Sequence, residues 1–120
     1  MAKVLIADDE PNIVVSLSFM LKREGYEVLV APDGTQALAM IRSEMPALVL
    51  LDASMPGMTG FEVCEAVRAD PSIAGTRIMM LTAKGRDTDI ARGMGAGADA
   101  YVTKPFSTRE LALRIRELLA

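Results

Sequence analysis

The side chains able to do chemistry in this chain are acids, a hydroxyl and an ammonium. Asp8-Asp9-Glu10, Asp52, Thr82 and Thr103-Lys104-Pro105 each follow directly on a short apolar run. Brought together, the carboxylates of Asp8, Asp9 and Asp52 would repel by about 4 kcal/mol per pair at ~4 Å in an effective dielectric of ~20, so they call for a cation. Oxygen ligands alone favour a hard ion, and Mg2+ is the natural choice because it keeps several waters and accepts a phosphoryl oxygen. Lys104 can balance the remaining charge and hold a phosphoryl oxygen, while Thr82 can hydrogen-bond another. The set reads as a site for handling phosphate, with an aspartate as its nucleophile.

Taken singly, each position has a plainer reading. An Asp after a strand is commonly a turn residue or a helix N-cap, which fits Asp9 before Pro11, and a lone Thr or Lys in a loop is commonly solvated. The functional reading rests on the whole set falling at four strand ends on one rim.

What the chain lacks narrows the chemistry further. Its 120 residues contain no histidine, which removes Ser-His and Cys-His nucleophilic pairs, His-ligated zinc and phosphohistidine chemistry from its own repertoire. A histidine that takes part must come from a partner. Cys64 stands alone, so no internal disulfide or thiolate zinc site can form, which suits a reduced compartment. With 13 Lys+Arg against 16 Asp+Glu, the net charge of -3 gives no general attraction to nucleic acid or anionic membrane. The apolar runs Val4 to Ala7 and Ala47 to Leu51 are far shorter than the ~18 residues of a membrane span. A soluble, cytoplasmic protein with no direct nucleic-acid contact is expected.

Elements of alternating type must position these groups. Lys3 to Ala7, Tyr26 to Ala31, Ala47 to Leu51, Arg77 to Leu81 and Ala100 to Val102 read as strands. Val4-Leu5-Ile6-Ala7, Leu48-Val49-Leu50-Leu51 and Ile78-Met79-Met80-Leu81 are apolar throughout, as expected of parallel strands covered on both faces. Helices must therefore flank the sheet. Ile13, Leu17, Met20 and Leu21 form one buried helical stripe, and Leu111, Ile115, Leu118 and Leu119 form another. Ala37, Leu38 and Ile41 mark a second helix, and Val63, Cys64 and Val67 a third. Thr59 with Glu62, and Ser107 with Glu110, have capping-box spacing. The fourth helix, around Thr88 to Met94, is the weakest, because Gly93, Gly95 and Gly97 each cost ~1 kcal/mol relative to Ala inside a helix. Strands alternating with helices over residues 1–120 give one (βα)5 domain, an open doubly wound parallel sheet with no linker or repeat. Ligands of such sheets collect beyond the carboxyl ends of the strands.

The ordered motifs resemble the receiver domain of two-component response regulators. The matching stretches are Lys3 to Glu10, Leu50-Leu51-Asp52 with Met55-Pro56-Gly57-Met58-Thr59-Gly60, Leu81-Thr82-Ala83, and Gly97 to Phe106. The resemblance implies the CheY-like strand order 2-1-3-4-5 and a Mg2+-dependent transfer of a phosphoryl group to Asp52. The donor would be a phosphohistidine on a sensor histidine kinase or a histidine phosphotransfer protein. Asp9 and Asp52 would ligate Mg2+ by side chain, Ser54 by its backbone carbonyl, and Asp8 largely through water. Thr82 and Lys104 would bind phosphoryl oxygens, and Tyr101 would turn inward when Thr82 moves toward the phosphate. The fourth helix, fifth strand and last helix would form the output face. The Lys104-Pro105 bond would be cis.

Some positions are individual. Ser54 and Lys84 sit where the family tunes the lifetime of the phosphoryl group, and Ala83 is small enough to leave the site open to donors and water. Phe106 to Leu111, with Arg114-Ile115-Arg116, resembles the last helix of receivers that precede a winged-helix domain and dimerise through the output face. Ala100 stands where that group often has a second acid. Phosphorylation-dependent homodimerisation is therefore an open expectation.

Other readings fit less of the sequence. A flavodoxin-like mononucleotide binder would find its phosphate repelled by Asp8-Asp9-Glu10. Lys84-Gly85 lacks the flanking residues of a Walker nucleotide loop, and Gly93, Gly95 and Gly97 lack dinucleotide-fingerprint spacing. A Mg2+-dependent aspartyl-phosphate phosphatase would carry an Asp-x-Asp nucleophile motif and a cap domain. A non-phosphorylated binding module would be expected to lack the acceptor or the acid pair, and here all of them are present.

Overall fold

The structure, a computed structural model, describes residues 2–83, 91–92 and 95–120. Five strands, β1 (Lys3–Ala7), β2 (Glu27–Ala31), β3 (Leu48–Asp52), β4 (Arg77–Ala83) and β5 (Ala100–Lys104), form one parallel sheet in the order β2-β1-β3-β4-β5. Helices α1 (Pro11–Arg23), α2 (Gly34–Glu44), α3 (Gly60–Ala69) and α4 (Thr108–Leu119) flank it. This is the doubly wound arrangement expected from the alternation of elements. The helix expected around Thr88 to Met94 falls largely outside the described residues, as does Lys84.

Alternate residues of each central strand enter opposite cores. Leu5, Val49, Leu51, Ile78 and Met80 pack with Ala37, Ile41, Val63, Cys64 and Val67 of α2 and α3. Val4, Ile6, Leu48, Leu50, Met79 and Leu81 pack with Leu17, Met20, Leu21, Leu111 and Ile115 of α1 and α4. The uninterrupted apolar runs thus follow from two covered faces. Ile13, Leu118 and Leu119 of the helical stripes are only half-buried.

The strands extend past, or start after, the expected limits. β3 runs to Asp52, β4 to Ala83 and β5 to Lys104, while β2 starts at Glu27 rather than Tyr26 and β3 at Leu48 rather than Ala47. Backbone pairing outlasts the apolar pattern: Thr82 pairs with Thr103 and Ala83 with Lys104 in the ladder. The functional side chains are therefore held by the sheet itself.

Caps differ from expectation at two helices. Thr59 and Glu62 form the reciprocal capping box. Ser107 accepts only from the Glu110 backbone N–H, at 3.3 Å. Asp9 does not cap α1, whose N-cap is Glu10 without a side-chain hydrogen bond.

Arg68 of α3 ties distant loops together. Its Nε donates to the Gly97 carbonyl at 2.9 Å, its Nη1 to the carbonyls of Ala74 at 2.9 Å and Thr76 at 2.6 Å, and its Nη2 pairs with Asp99 at 2.9 Å. Asp99 in turn accepts from the Ile78 N–H at 2.7 Å. The segment entering β5 is thereby fixed to the start of β4.

Candidate functional site

Register brings the acids together. Ala7 lies beside Leu51 in the ladder, so Asp8 and Asp52 emerge as neighbours at the carboxyl ends of the two central strands. Carboxylate oxygens of Asp8, Asp9 and Asp52 all lie within 4.8 Å of one another. Asp8 and Asp52 are buried, whereas Asp9 is exposed. Asp8 Oδ1 accepts from the Glu10 N–H at 2.9 Å, and Asp52 Oδ1 from the Ser54 N–H at 3.2 Å.

Lys104 arrives from the end of β5, and its peptide bond to Pro105 is cis. Its Nζ lies 3.0 Å from Asp8 Oδ2, 3.4 Å from Glu10 Oε1 and 3.7 Å from Asp52 Oδ1. The contact with Asp8 is an ion pair without the alignment of a hydrogen bond. Asp8 Oδ2 and Thr82 Oγ1 are buried polar atoms with no hydrogen-bond partner among the described residues. A buried oxygen without a partner is costly, and two such atoms at one rim mark where a cation and an anionic oxygen would be accommodated. Three convergent carboxylates and no nitrogen or sulfur ligand match the donor set of a hard divalent ion.

Charge and burial set the protonation of the pair. Burial, with smaller contributions from Asp8 and Asp9, pushes the Asp52 carboxyl up to about 6 against the pull of the Ser54 N–H and Lys104. Burial works against the Lys104 ammonium, but its contact with Asp8 and the charges of Asp52, Asp8 and Glu10 outweigh that and hold it above the ordinary lysine value. Asp52 therefore gives up its proton nearer neutrality than an ordinary aspartate does.

Glycine makes the geometry possible from below. A Cβ at Gly60, the first residue of α3, would overlap the Asp52 carbonyl oxygen and lie 2.9 Å from the Ala53 Cα. The helix start is pressed against the end of β3, and the Gly60 N–H donates to the Ala53 carbonyl at 3.1 Å.

One groove, about 730 Å3, lies between α1 and α4 around Val15, Phe19 and Leu113, away from the carboxylates. Another, about 550 Å3, adjoins the carboxylates and is lined by Asp9, Ser54, Met55, Thr59, Phe61 and Arg92 among others. Arg92, which the sequence did not single out, stacks over the Phe61 ring with its guanidinium carbon 4.4 Å from the centroid. Tyr101 is half-buried against the α2/α3 core, and its carbonyl accepts from Arg114.

The family model for the response regulator receiver domain matches residues 4–116. The chain belongs to this family. The receiver is 44% identical over 117 residues to the DNA-binding response regulator MtrA of Mycolicibacterium smegmatis, covering 98% of this chain and 50% of that protein. It spans about half the length of the curated relatives it matches. Among solved structures, the chemotaxis response regulator CheY4 of Vibrio cholerae superposes with a TM-score of 0.92 at 37% identity, covering 99% of each chain. A CheY-like receiver domain protein from Methanospirillum hungatei gives 0.91 at 34% identity, covering 99% of this chain and 94% of that one. The receiver's role is in signalling, and no helix among its described residues is long and apolar enough to cross a membrane.

Proposed function

We propose that Asp52 accepts a phosphoryl group from a phosphohistidine on a partner sensor kinase or histidine phosphotransfer protein. The observation that carries this reading is the buried Asp52 carboxylate, set among Asp8 and Asp9 with Lys104 Nζ at 3.7 Å. An Asp52 oxygen attacks phosphorus in line, the P–N bond to the partner's imidazole breaks, and the histidine leaves with that electron pair. Lys104, already held as an ammonium, moves from Asp8 toward a phosphoryl oxygen, and the Thr82 hydroxyl donates to another.

Asp8, Asp9 and Asp52, with the Ser54 carbonyl, would hold Mg2+, which supplies neutralisation of charge developing on the phosphoryl oxygens. Without a cation, three clustered carboxylates oppose the approach of an anionic donor. The product is an acyl phosphate that the same site can hydrolyse, so the domain turns over only its own modification. Thr82 and Tyr101 would relay that modification to an output face on the helix expected around Thr88 to Met94, β5 and α4, where a phosphorylation-dependent homodimer could form. Residues 1–120 act in this reading as one cytoplasmic receiver domain.

Intact mass after incubation with Mg2+ and a small acyl phosphate tests it. One added phosphoryl group is expected in the native protein, and none in Asp52→Asn or in EDTA. A folded native protein that gains nothing from a small donor or a phosphorylated histidine domain would instead be a binding module with a silent site.

A further inference from the structure

Phe61 is buried in the α2/α3 core, so its ring is a fixed platform at the edge of the groove that also contains Asp9 and Ser54. The Arg92 guanidinium carbon sits over that ring, 4.4 Å from its centroid. Stacking fixes the plane of a guanidinium while leaving its N–H edge able to fork onto a carbonyl or carboxylate. Asp52 is buried, whereas Arg92 is exposed and lines the groove that also holds Asp9 and Ser54. In-line displacement places the leaving group opposite the attacking Asp52 oxygen, which is the outward direction.

We propose that Arg92 recognises the leaving group of small acyl-phosphate donors, binding the acyl oxygens and making this receiver favour, among small donors, those whose leaving group is a carboxylate. The inference rests on Asp52 being the acceptor. The step balances without any further reactant: an Asp52 oxygen bonds to phosphorus, the P–O bond to the acyl group breaks, and the carboxylate departs with the electron pair toward the guanidinium. Lys104 and Thr82 keep the phosphoryl oxygens, so Arg92 affects recruitment of the donor more than the saturated rate. With phosphoramidate the P–N bond breaks and the leaving group is neutral ammonia, which gives Arg92 nothing to hold.

The test measures the rate of phosphorylation of the full chain against donor concentration by intact mass, with Mg2+, for acetyl phosphate and for phosphoramidate. Native protein is compared with Arg92→Gln, which keeps the length of the exposed side chain, and with Arg92→Lys, which keeps the charge but not the fork. In Arg92→Gln the half-saturating acetyl phosphate concentration is expected to rise about five- to tenfold. The saturated rate should change less than twofold, and phosphoramidate should be used as by the native protein. Arg92→Lys should recover only part of the loss. Unchanged half-saturation for acetyl phosphate in a folded Arg92→Gln overturns the proposal, and so does an equal rise for both donors, which would indicate general charge attraction. Native protein that takes phosphate from neither small donor also overturns the proposal, and only failure with a phosphorylated histidine domain as well would sink the acceptor reading itself.

Discussion

Lys104 Nζ sits 3.0 Å from Asp8 Oδ2 and 3.7 Å from Asp52 Oδ1, so the ammonium leans on the acid beside the proposed acceptor. Asp8 Oδ2 has no hydrogen-bond partner among the described residues, so Lys104 is its main electrostatic compensation there. Replacing it with an uncharged chain of similar length, Lys104→Met, leaves a buried acid cluster without its cation. At pH 8 in EDTA the variant should lose about 1 to 3 kcal/mol, and Mg2+ should restore part of that. Thermal melts with and without metal measure it; equal stability in EDTA would show that the ion pair contributes nothing.

The same cluster sets a pH dependence. Asp52 titrates at about 6 in the folded chain against 3.8 for an ordinary aspartate, chiefly through burial. Between those values the folded state binds more protons than the unfolded one, so this residue's contribution to stability falls as pH rises through the window. The penalty is complete above pH ~6 and absent below pH ~4, and its size is roughly 1 to 3 kcal/mol. Other carboxylates act in the opposite sense, so the quantity to follow is the difference between native and Asp52→Asn in EDTA. Asn should be the more stable at pH 7.5, with the gap closing by pH 4.5. A gap that stays constant across the range would mean that Asp52 is not raised. Added Mg2+ should raise the native melting temperature more at pH 7.5 than at pH 5, because protons compete for the same carboxyl.

Much of this site is legible from the chain alone, and the physical reason is the sheet. Parallel strands covered on both faces must be apolar until they reach the rim, so Asp8, Asp52 and Thr82 stand out as the first polar residues after Val4–Ala7, Leu48–Leu51 and Ile78–Leu81. The same pattern misplaces the strand ends, because it reports burial and not pairing: the ladder holds Thr82 against Thr103 and Ala83 against Lys104 after the apolar run has stopped. Contacts between distant segments leave no local signal. Arg68 meets Gly97 across 29 positions, and nothing in the spacing around Arg92 announces that it covers Phe61. Glu10 reads as one more acid after β1, yet it shares Lys104 at 3.4 Å. Gly60 follows a recognisable Thr59 cap, but only the packing of α3 on β3 shows why a side chain there is excluded.

That packing makes Gly60 a position where stability and phosphorylation should fail together. An added Cβ collides with backbone atoms of Asp52 and Ala53, which cannot swing aside as a flexible side chain would. Gly60→Ala must push α3 outward or displace the end of β3, costing about 2 kcal/mol or more, of the order of other overpacking changes. Because the displaced strand end carries the proposed acceptor, the phosphorylation rate should fall further than at Gly75→Ala, where a Cβ meets nothing within 4 Å. Comparing urea midpoints and phosphorylation rates of the two variants checks this; a Gly60→Ala protein matching Gly75→Ala in both would place the close approach in doubt.

Arg68 offers a test of how β5 is anchored. Its guanidinium satisfies three carbonyls and the Asp99 carboxylate, and the Asp99 contact to the Ile78 N–H joins the starts of β4 and β5. Arg68→Ala leaves several half-buried acceptors to water and frees the segment leading into Tyr101, so a loss of about 2 to 3 kcal/mol is expected. Arg68→Lys should recover little of it, because one ammonium cannot span carbonyls that a planar fork reaches on two sides. Hydrogen exchange locates the effect: protection should drop at the Ile78 and Asp99 amides, whose partners are Asp99 and the Ile78 carbonyl, while the Leu5 and Ile6 amides of β1 exchange as in the native protein. Uniform loss of protection across all strands would mean that Arg68 supports the whole fold and not the β4–β5 junction.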